Sequence, residues 1–149
     1  MAGSSIIIIP MIDHSNNYGY SELAHPADVA LKIWGDCLDN FFKAALDGLY
    51  HLSSIEFDKN AHTKKTLLYL PSEKIEILLV DFLNEMIFMI EEGKAFVIHC
   101  MTSTDDGTRF VGEEKSISKI DRFVKAATFS ELEVHKNGDH FEALVVFDV

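Results

Sequence analysis

AATFSELEVHKNGDHFEALVVFDV, residues 126–149, contains the clearest folding signal in this chain. Within it, Asn137-Gly138 separates two segments in which apolar and polar residues alternate. An Asn-Gly pair in this setting is the strongest short signal of a β-hairpin with a two-residue type I′ turn. The sequence therefore predicts strands over residues 126–135 and 141–148 that pair antiparallel across this turn.

The predicted hairpin also sets a register near the end of the sequence. With a two-residue loop, Ala127 lies opposite Asp148. Ala126 then lies opposite Val149, and Lys125 falls one step past that residue. Asp148 and the terminal carboxylate are adjacent acidic groups, which need a nearby cation, and either Lys125 or a metal ion could supply it. The alternative is a terminal segment that frays in water.

Two amphipathic helices are predicted upstream of the hairpin. The first begins at Asp36, as N-cap, and carries an apolar stripe over residues 38–52. The second begins at Pro71-Ser72 and ends at Gly93, the residue type that favours a helix C-terminus. Strands are predicted over residues 18–23, 29–34, 66–70, 95–101 and 109–115, with a turn at 105–107 joining the last two. The fold class is therefore α+β: two helices packed on a mainly antiparallel or mixed sheet, as a two-layer sandwich.

Composition is consistent with one globular domain. Hydrophobic residues make up 48% and charged residues 25% of the 149 residues, which excludes a largely disordered chain. We expect a single domain over residues 18–149 after an extension over residues 1–17, whose four isoleucines at 6–9 form a short edge strand or a sticky tail. No signal peptide or membrane span is recognisable, so a cytoplasmic location is expected. Cys37 and Cys100 are expected to be reduced and buried.

The formal net charge is −11, with a sequence pI near 4.9. A grip on nucleic acid needs clustered Lys and Arg against the phosphates, so direct RNA or DNA binding is not expected. An acidic protein in an RNA pathway would more readily contact a basic protein. The G-x-S-x-G, P-loop and H-E-x-x-H motifs are absent from the sequence, which favours a protein that is not an enzyme.

Four strings, in order along the chain, resemble the archease family. They are His25-Pro26-Ala27-Asp28 followed by a strand and Trp34-Gly35, then residues 78–85 (LLVDFLNE), 124–129 (VKAATF) and 145–149 (VVFDV). The first is similar to the family's His-Thr-Ala-Asp, strand and Trp-Gly, and the third to its Lys-Ala-x-Thr-Tyr. Three residues depart from the pattern: Ala24 stands where an acidic residue is common, Pro26 replaces Thr, and Phe129 replaces Tyr.

The resemblance implies a small acidic cytoplasmic protein of tRNA processing that activates the guanylate-dependent tRNA-splicing RNA ligase. Members of the family promote formation of the ligase–guanylate intermediate and multiple turnover in tRNA splicing and RNA repair, and they are not themselves the ligase. An older description of the family, a chaperone-like modulator of a tRNA methyltransferase, is the alternative. A small metal-dependent hydrolase acting through Asp28 and Asp148 is a further one.

The resemblance also implies a metal site, and the residues carried over by position are Asp28, Asp148 and Val149. Val149 could ligate only through its main-chain or terminal oxygens. Such an all-oxygen set suits a hard cation, Ca²⁺ first, with Mg²⁺ or Mn²⁺ as alternatives. Without the resemblance, Asp28 would be interpreted as a loop or cap aspartate that bonds its own backbone.

Other polar residues carry a functional and a structural interpretation side by side. Lys125 could neutralise the acidic site or reach a guanylate or a partner carboxylate, or it is an ordinary surface lysine. His25 could be an acid–base or activation residue, or a structural histidine. Asp81 and Glu85 form a solvated helix face or a partner-facing acidic patch. His135 and His140 are expected to face each other across the hairpin, which is too few ligands for a good zinc site.

Overall fold

The computed structural model describes residues 17–25, 28–71 and 74–149, with His25 described in its backbone alone. Residues 1–16 of the predicted extension over 1–17, the bend at Pro26, and Ser72 of the predicted helix start at Pro71-Ser72 lie outside these residues. In chain order the elements are β1 (Tyr18–His25), β2 (Asp28–Gly35), α1 (Leu38–Ser53), β3 (Glu56–Phe57), β4 (Lys64–Pro71), α2 (Ile75–Glu91), β5 (Lys94–Thr104), β6 (Gly107–Lys119), β7 (Ala126–Thr128), β8 (His135–Asn137) and β9 (His140–Asp148).

The strands form two antiparallel sheets. In the five-stranded sheet β1, β2, β9 and β7 lie side by side, and β8 pairs with the other half of β9. In the four-stranded sheet β6 pairs with β4, β5 and the short β3. The α+β class with two helices is confirmed, and the strands divide between two sheets where the sequence suggested one.

Both helices contact both sheets, and one hydrophobic core joins all these elements. Helix α1 packs on β1 and β2 and reaches β5, while α2 contacts β4, β5 and β7. At the centre, Phe82 of α2 stacks on Phe110 of β6 with ring centroids 4.5 Å apart. Phe42 of α1 meets Phe82 edge to face at 5.5 Å. The three rings are fully buried, so aromatic packing fixes both helices against the four-stranded sheet.

The predicted start of α1 at Asp36 is wrong by one residue. Cys37 is the N-cap, and it makes no side-chain capping hydrogen bond. Asp36 instead accepts a 2.7 Å hydrogen bond at Oδ1 from Asn40 Nδ2. This bond to the ionised carboxylate lowers the pKa of Asp36. The aspartate therefore supports the first helical turn through a side chain rather than through the backbone N–H groups.

The predicted end of α2 is confirmed, and its predicted beginning is wrong. Gly93 follows the last helical residues with φ of +79°, the left-handed conformation that glycine adopts without strain. Pro71, however, is the last residue of β4 and pairs with Gly107. The helix begins at Ile75 after Lys74 as N-cap.

The C-terminal hairpin forms with a different loop. Asn137 pairs with His140, so the two loop residues are Gly138 and Asp139. Gly138 has φ of +64°, whereas Asp139 is not among the residues with positive φ, which matches a type II′ turn rather than type I′. His135 therefore lies opposite Glu142, and the expected pairing of His135 with His140 is wrong.

The predicted strand over residues 126–135 is interrupted. Strand β7 ends at Thr128, and residues 129–134 leave the ladder before β8 begins. Within this segment Glu131 adopts φ of +58°, and the Leu132 N–H bonds the Phe129 carbonyl at 3.0 Å. Because these residues are not paired with β9, the register of β7 is independent of the hairpin loop.

The expectation that both cysteines are buried is wrong. Cys37 is exposed because it caps the start of α1 outside the core, and Cys100 is exposed just after an irregularity in β5 between Ile98 and Cys100. Among the described residues, no helix has the length and apolar character needed to cross a membrane.

The aromatic core gives a direct stability prediction. Replacing Phe82 by Ala removes a fully buried ring from the contact between α2 and β6, and we expect a loss of about 3–5 kcal/mol in the free energy of unfolding. Phe88→Ala, six residues further along the same helix, is the matched control because that ring is 57% exposed. Urea denaturation of both variants measures the difference, and equal losses would contradict this assignment of the core.

Candidate functional site

Three strand ends meet at one corner of the five-stranded sheet. Asp28 is the first residue of β2, and Asp148 is the last residue of β9. Val29 pairs with Phe147, so one further step of the same antiparallel ladder sets Asp28 beside Asp148. On the other side of β9, Asp148 pairs with Ala126, the first residue of β7. The two aspartates that the sequence singled out therefore lie at the same corner.

The alternation of the strands puts both aspartates on one face. Phe147 is fully buried in the core beneath the helices, so Asp148, the next residue, points to the opposite face. Directly opposed residues in an antiparallel pair share a face, so Asp28 lies on the same side. Asp148 is exposed and Asp28 half-buried, which leaves this acidic pair accessible from solvent.

Lys125 reaches the same corner through its backbone. Its N–H donates a 2.8 Å hydrogen bond to the Asp148 carbonyl, and the register of β7 puts it opposite Val149. The sequence expected Ala127 opposite Asp148, but Ala127 pairs with Phe147 and Ala126 with Asp148. The predicted register was wrong by one residue, and the correction brings Lys125 closer to the chain end. Val149 is 42% exposed.

A residue to which the sequence assigned no role, Asn84 of α2, holds β7 in place. Its Oδ1 accepts a 2.8 Å hydrogen bond from the Ala127 N–H, and its Nδ2 donates one of 3.3 Å to the Ala127 carbonyl. A single side chain thus satisfies both main-chain groups of a buried strand residue. The available signal was an asparagine in the middle of a strongly apolar helix, where it is a weak helix former and so has another reason to be present.

The donor set at this corner is oxygen only. Asp28 and Asp148 supply two carboxylates, and the main-chain oxygens of Val149 could supply the remainder, a set that fits a hard cation better than zinc. Within the described ranges, no group of three or more His, Cys, Asp or Glu side chains is arranged to hold a metal ion. A cation held here would therefore depend on main-chain oxygens and water in addition to the two aspartates.

The other candidate residues lie at different distances from this corner. In the backbone ladder His25 pairs with Asp28, so its chain position is adjacent to the acidic pair. Asp81 and Glu85 are exposed on α2, the helix that carries Asn84. His135 and His140 lie at the opposite end of β9, where His140 Nε2 is 3.4 Å from Glu142 Oε2. These two histidines are not part of the corner.

This arrangement defines a class: an α+β domain of two helices and two antiparallel sheets with an acidic corner at the ends of three strands. The model of the Archease protein family matches residues 20–149. The chain therefore belongs to the archease family.

Individual relatives agree with this assignment. The protein archease of Methanosarcina barkeri is 24% identical over 140 residues, covering 87% of this chain and 95% of that protein. The protein archease of Danio rerio is 26% identical over 142 residues, covering 87% and 85% respectively.

Solved structures show the same fold. The crystal structure of an archease from Thermotoga maritima, described as a possible chaperone, matches with a TM-score of 0.65 and 25% identity over 85% of this chain and 94% of that chain. The solution structure of a Methanobacterium thermoautotrophicum protein matches with a TM-score of 0.67 and 22% identity over 88% and 99%, a likeness of fold alone.

The pair of hydrogen bonds between Asn84 and Ala127, which we call the asparagine clamp, can be tested by substitution. Asn84→Ala leaves the buried Ala127 N–H and carbonyl without partners, and we expect a loss of about 1–3 kcal/mol in the free energy of unfolding. Glu85→Ala is the matched control, because it changes the neighbouring exposed residue of the same helix and should stay within about 0.5 kcal/mol. Hydrogen exchange should show faster exchange at the Ala127 amide in Asn84→Ala, and an unchanged rate would contradict the clamp.

Proposed function

We propose that this protein is a non-catalytic activator of the guanylate-dependent tRNA-splicing RNA ligase, and that it acts in the cytoplasm. It promotes formation of the ligase–guanylate intermediate and repeated turnover of the ligase in tRNA splicing and RNA repair. Family membership supports this proposal, together with one observation: residues from three of the family-like strings, Asp28, Lys125 and Asp148, lie at a single corner of the sheet.

A divalent cation is part of the proposed mechanism. The Asp28 and Asp148 carboxylates and the main-chain oxygens of Val149 would hold Ca²⁺, with Mg²⁺ or Mn²⁺ as alternatives. The cation would offset the repulsion between two adjacent carboxylates and present a positive charge to a phosphate or carboxylate of the partner. The exposure of Asp148 supports access by a large partner.

Lys125 and His25 are the proposed activation residues. The backbone of Lys125 is tied to Asp148, which supports a role for its ammonium group at the same corner, toward a guanylate phosphate or a partner carboxylate. His25 follows from its pairing with Asp28 in the ladder and from the family-like string it begins. Both residues act on the partner in this proposal, and neither forms a covalent intermediate.

A chaperone-like role is the second candidate, because the Thermotoga maritima relative is described as a possible chaperone. In that case the protein would protect an RNA-modifying enzyme such as a tRNA methyltransferase from aggregation, and the acidic corner would not matter.

A small metal-dependent hydrolase is the third candidate. Turnover of a phosphodiester by this protein alone, lost on addition of a chelator, would identify it.

The test is a guanylylation assay with a purified cognate RNA ligase. Wild-type protein should speed formation of the ligase–guanylate intermediate, and chelation followed by Ca²⁺ should remove and restore part of that effect. Asp28→Asn and Asp148→Asn keep the side-chain shape but remove a negative oxygen ligand. We expect each to lower activation by roughly tenfold or more, as loss of metal-site support usually does.

Asp105→Asn is the matched control, because it removes a carboxylate from the exposed turn between β5 and β6, strands of the four-stranded sheet rather than of the sheet that forms the corner. It should activate like wild type. Normal activation by both site variants would exclude the metal-site mechanism. Suppression of methyltransferase aggregation that survives Asp28→Asn, without any effect on the ligase, would favour the chaperone-like role instead.

A further inference from the structure

Helix α2 and the segment over residues 121–134 run side by side in opposite directions and share one outer surface. Asn84 bonds Ala127 near the middle, and Glu76 Oε2 accepts a 3.0 Å hydrogen bond from the Val134 N–H near the start of the helix. At the other end, Phe123 lines a small cleft together with Ile87 and Glu91. We name the exposed side chains of α2, its C-cap Glu92 and residues 121–129 of this segment the α2/β7 face.

Three phenylalanines of the α2/β7 face are unusually exposed. Phe88 on α2 is 57% exposed, and Phe123 and Phe129, which flank β7, are 60% and 55% exposed. Phe123 lies beside Ile87 and Glu91 of α2, Phe129 directly follows the last residue of β7, and Phe88 lies one helical turn after Asn84, where it also borders Lys94 and Glu114. Large exposed aromatics are typical of a protein-binding surface, since folding gains little from them.

The same face carries a concentrated negative charge. Residues 75–92 contain five carboxylates and no Lys or Arg. Residues 121–129 contain one carboxylate, Asp121, with Arg122 and Lys125 as the cationic residues. Glu131 and Glu133 line a different cleft, with Lys32 and Leu144 of the five-stranded sheet. The 27 positions over residues 75–92 and 121–129 therefore hold a net charge of −4. The exposed side of α2 is thus both acidic and aromatic.

We propose that the α2/β7 face is the docking surface for a basic protein partner, and that this partner is the RNA ligase of the proposed function, on which this inference rests. An enzyme that joins RNA ends must present Lys and Arg around its substrate path, because those side chains neutralise the phosphates. A face with six carboxylates against two cationic side chains is complementary to such a rim, and repels RNA itself.

The position of the face explains why docking there would serve activation. Lys125 belongs to this face, and its backbone also bonds Asp148 at the acidic corner. A partner seated on α2 and β7 therefore reaches the sheet edge beside the corner, and it would extend around that edge to contact the Asp28 and Asp148 side chains on the other face. The three phenylalanines anchor the complex in apolar pockets of the partner, while the carboxylates accelerate the encounter and make its rate depend on salt.

Two independent variants test the face. The first, F88S/F123S/F129S, removes the anchors, and the second, D81K/E85K, reverses two exposed charges on α2. With the purified ligase, the protein concentration for half-maximal guanylylation should rise roughly thirtyfold or more for each variant, as for loss of interface hot spots. Maximal activation at saturating concentration should stay at the wild-type level, and the salt dependence should weaken only in D81K/E85K.

Matched controls lie on the outer side of the four-stranded sheet and in turns. L67S/Y69S/V111S removes three other exposed hydrophobic side chains, which are 59%, 44% and 38% exposed, and D105K/D139K reverses two turn charges. Both should keep the wild-type half-maximal concentration. Thermal unfolding of every variant checks that the fold is retained.

The outcomes separate this inference from the function on which it rests. If the wild-type protein activates the ligase and both face variants keep the same half-maximal concentration, the docking face is wrong and the activator function stands. If the wild-type protein neither binds nor activates the ligase, both proposals fall together. A lower maximal rate at an unchanged half-maximal concentration, as we expect for Asp28→Asn, would assign the face to the activation step and overturn its role in docking.

Discussion

The contact between Asn84 and Ala127 holds the candidate site in place. Strand β7 has three residues and, within the described part of the chain, pairs with β9 alone, so its outer edge would expose unpaired main-chain groups. Asn84 satisfies the N–H and carbonyl of Ala127 from the helix. This bond pair ties the core helix to the strand, and the backbone of Lys125, two residues earlier, ties that strand to Asp148. Hydrogen bonds therefore connect the core helix α2, the edge strand β7 and the acidic corner in one continuous series.

Local patterns predicted much of the fold, because they report what each segment buries. The stripe of α1, the glycine after α2 and most strand positions follow from periodicity and from glycine's access to positive φ. The register of β7 could not be predicted in this way. Residues 129–134 leave the ladder, and Glu131 adopts a left-handed conformation. No residue type in this segment predicts that conformation. Because this unpaired segment separates β7 from the hairpin, the register of β7 differs by one residue from the predicted one, and Asp148 pairs with Ala126 rather than with Ala127.

The acidic corner depends on two pairings of different origin. The hairpin argument from the sequence connected Asp148 with Lys125, because both belong to neighbouring strands at one end of the chain. The proximity of Asp28 depends on the pairing of β2 with β9, which joins residues 106 to 118 positions apart, and no local signal encodes such a pairing. The family resemblance identified Asp28 as a site residue. The β2–β9 ladder gives the physical reason why Asp28 lies close to Asp148. Neither the hairpin argument nor the family resemblance identified Asn84, because its role is visible only once α2 lies against β7.

The charges of α2 oppose its own stability. Asp81 and Glu85 are one turn apart, where a pair of like charges costs roughly 0.2–0.5 kcal/mol. The last turn holds Glu91 and no basic residue, and Glu92 caps the helix, although the helix dipole favours cations at that end. The buried apolar stripe, from Leu78 to Ile90, supplies the compensating stability. A helix that keeps unfavourable carboxylates on its exposed side would gain from a basic partner, because bound cations relieve both the mutual repulsion and the dipole. These carboxylates lower the stability of α2 in the free protein, and this is the reason to expect that they act in a complex.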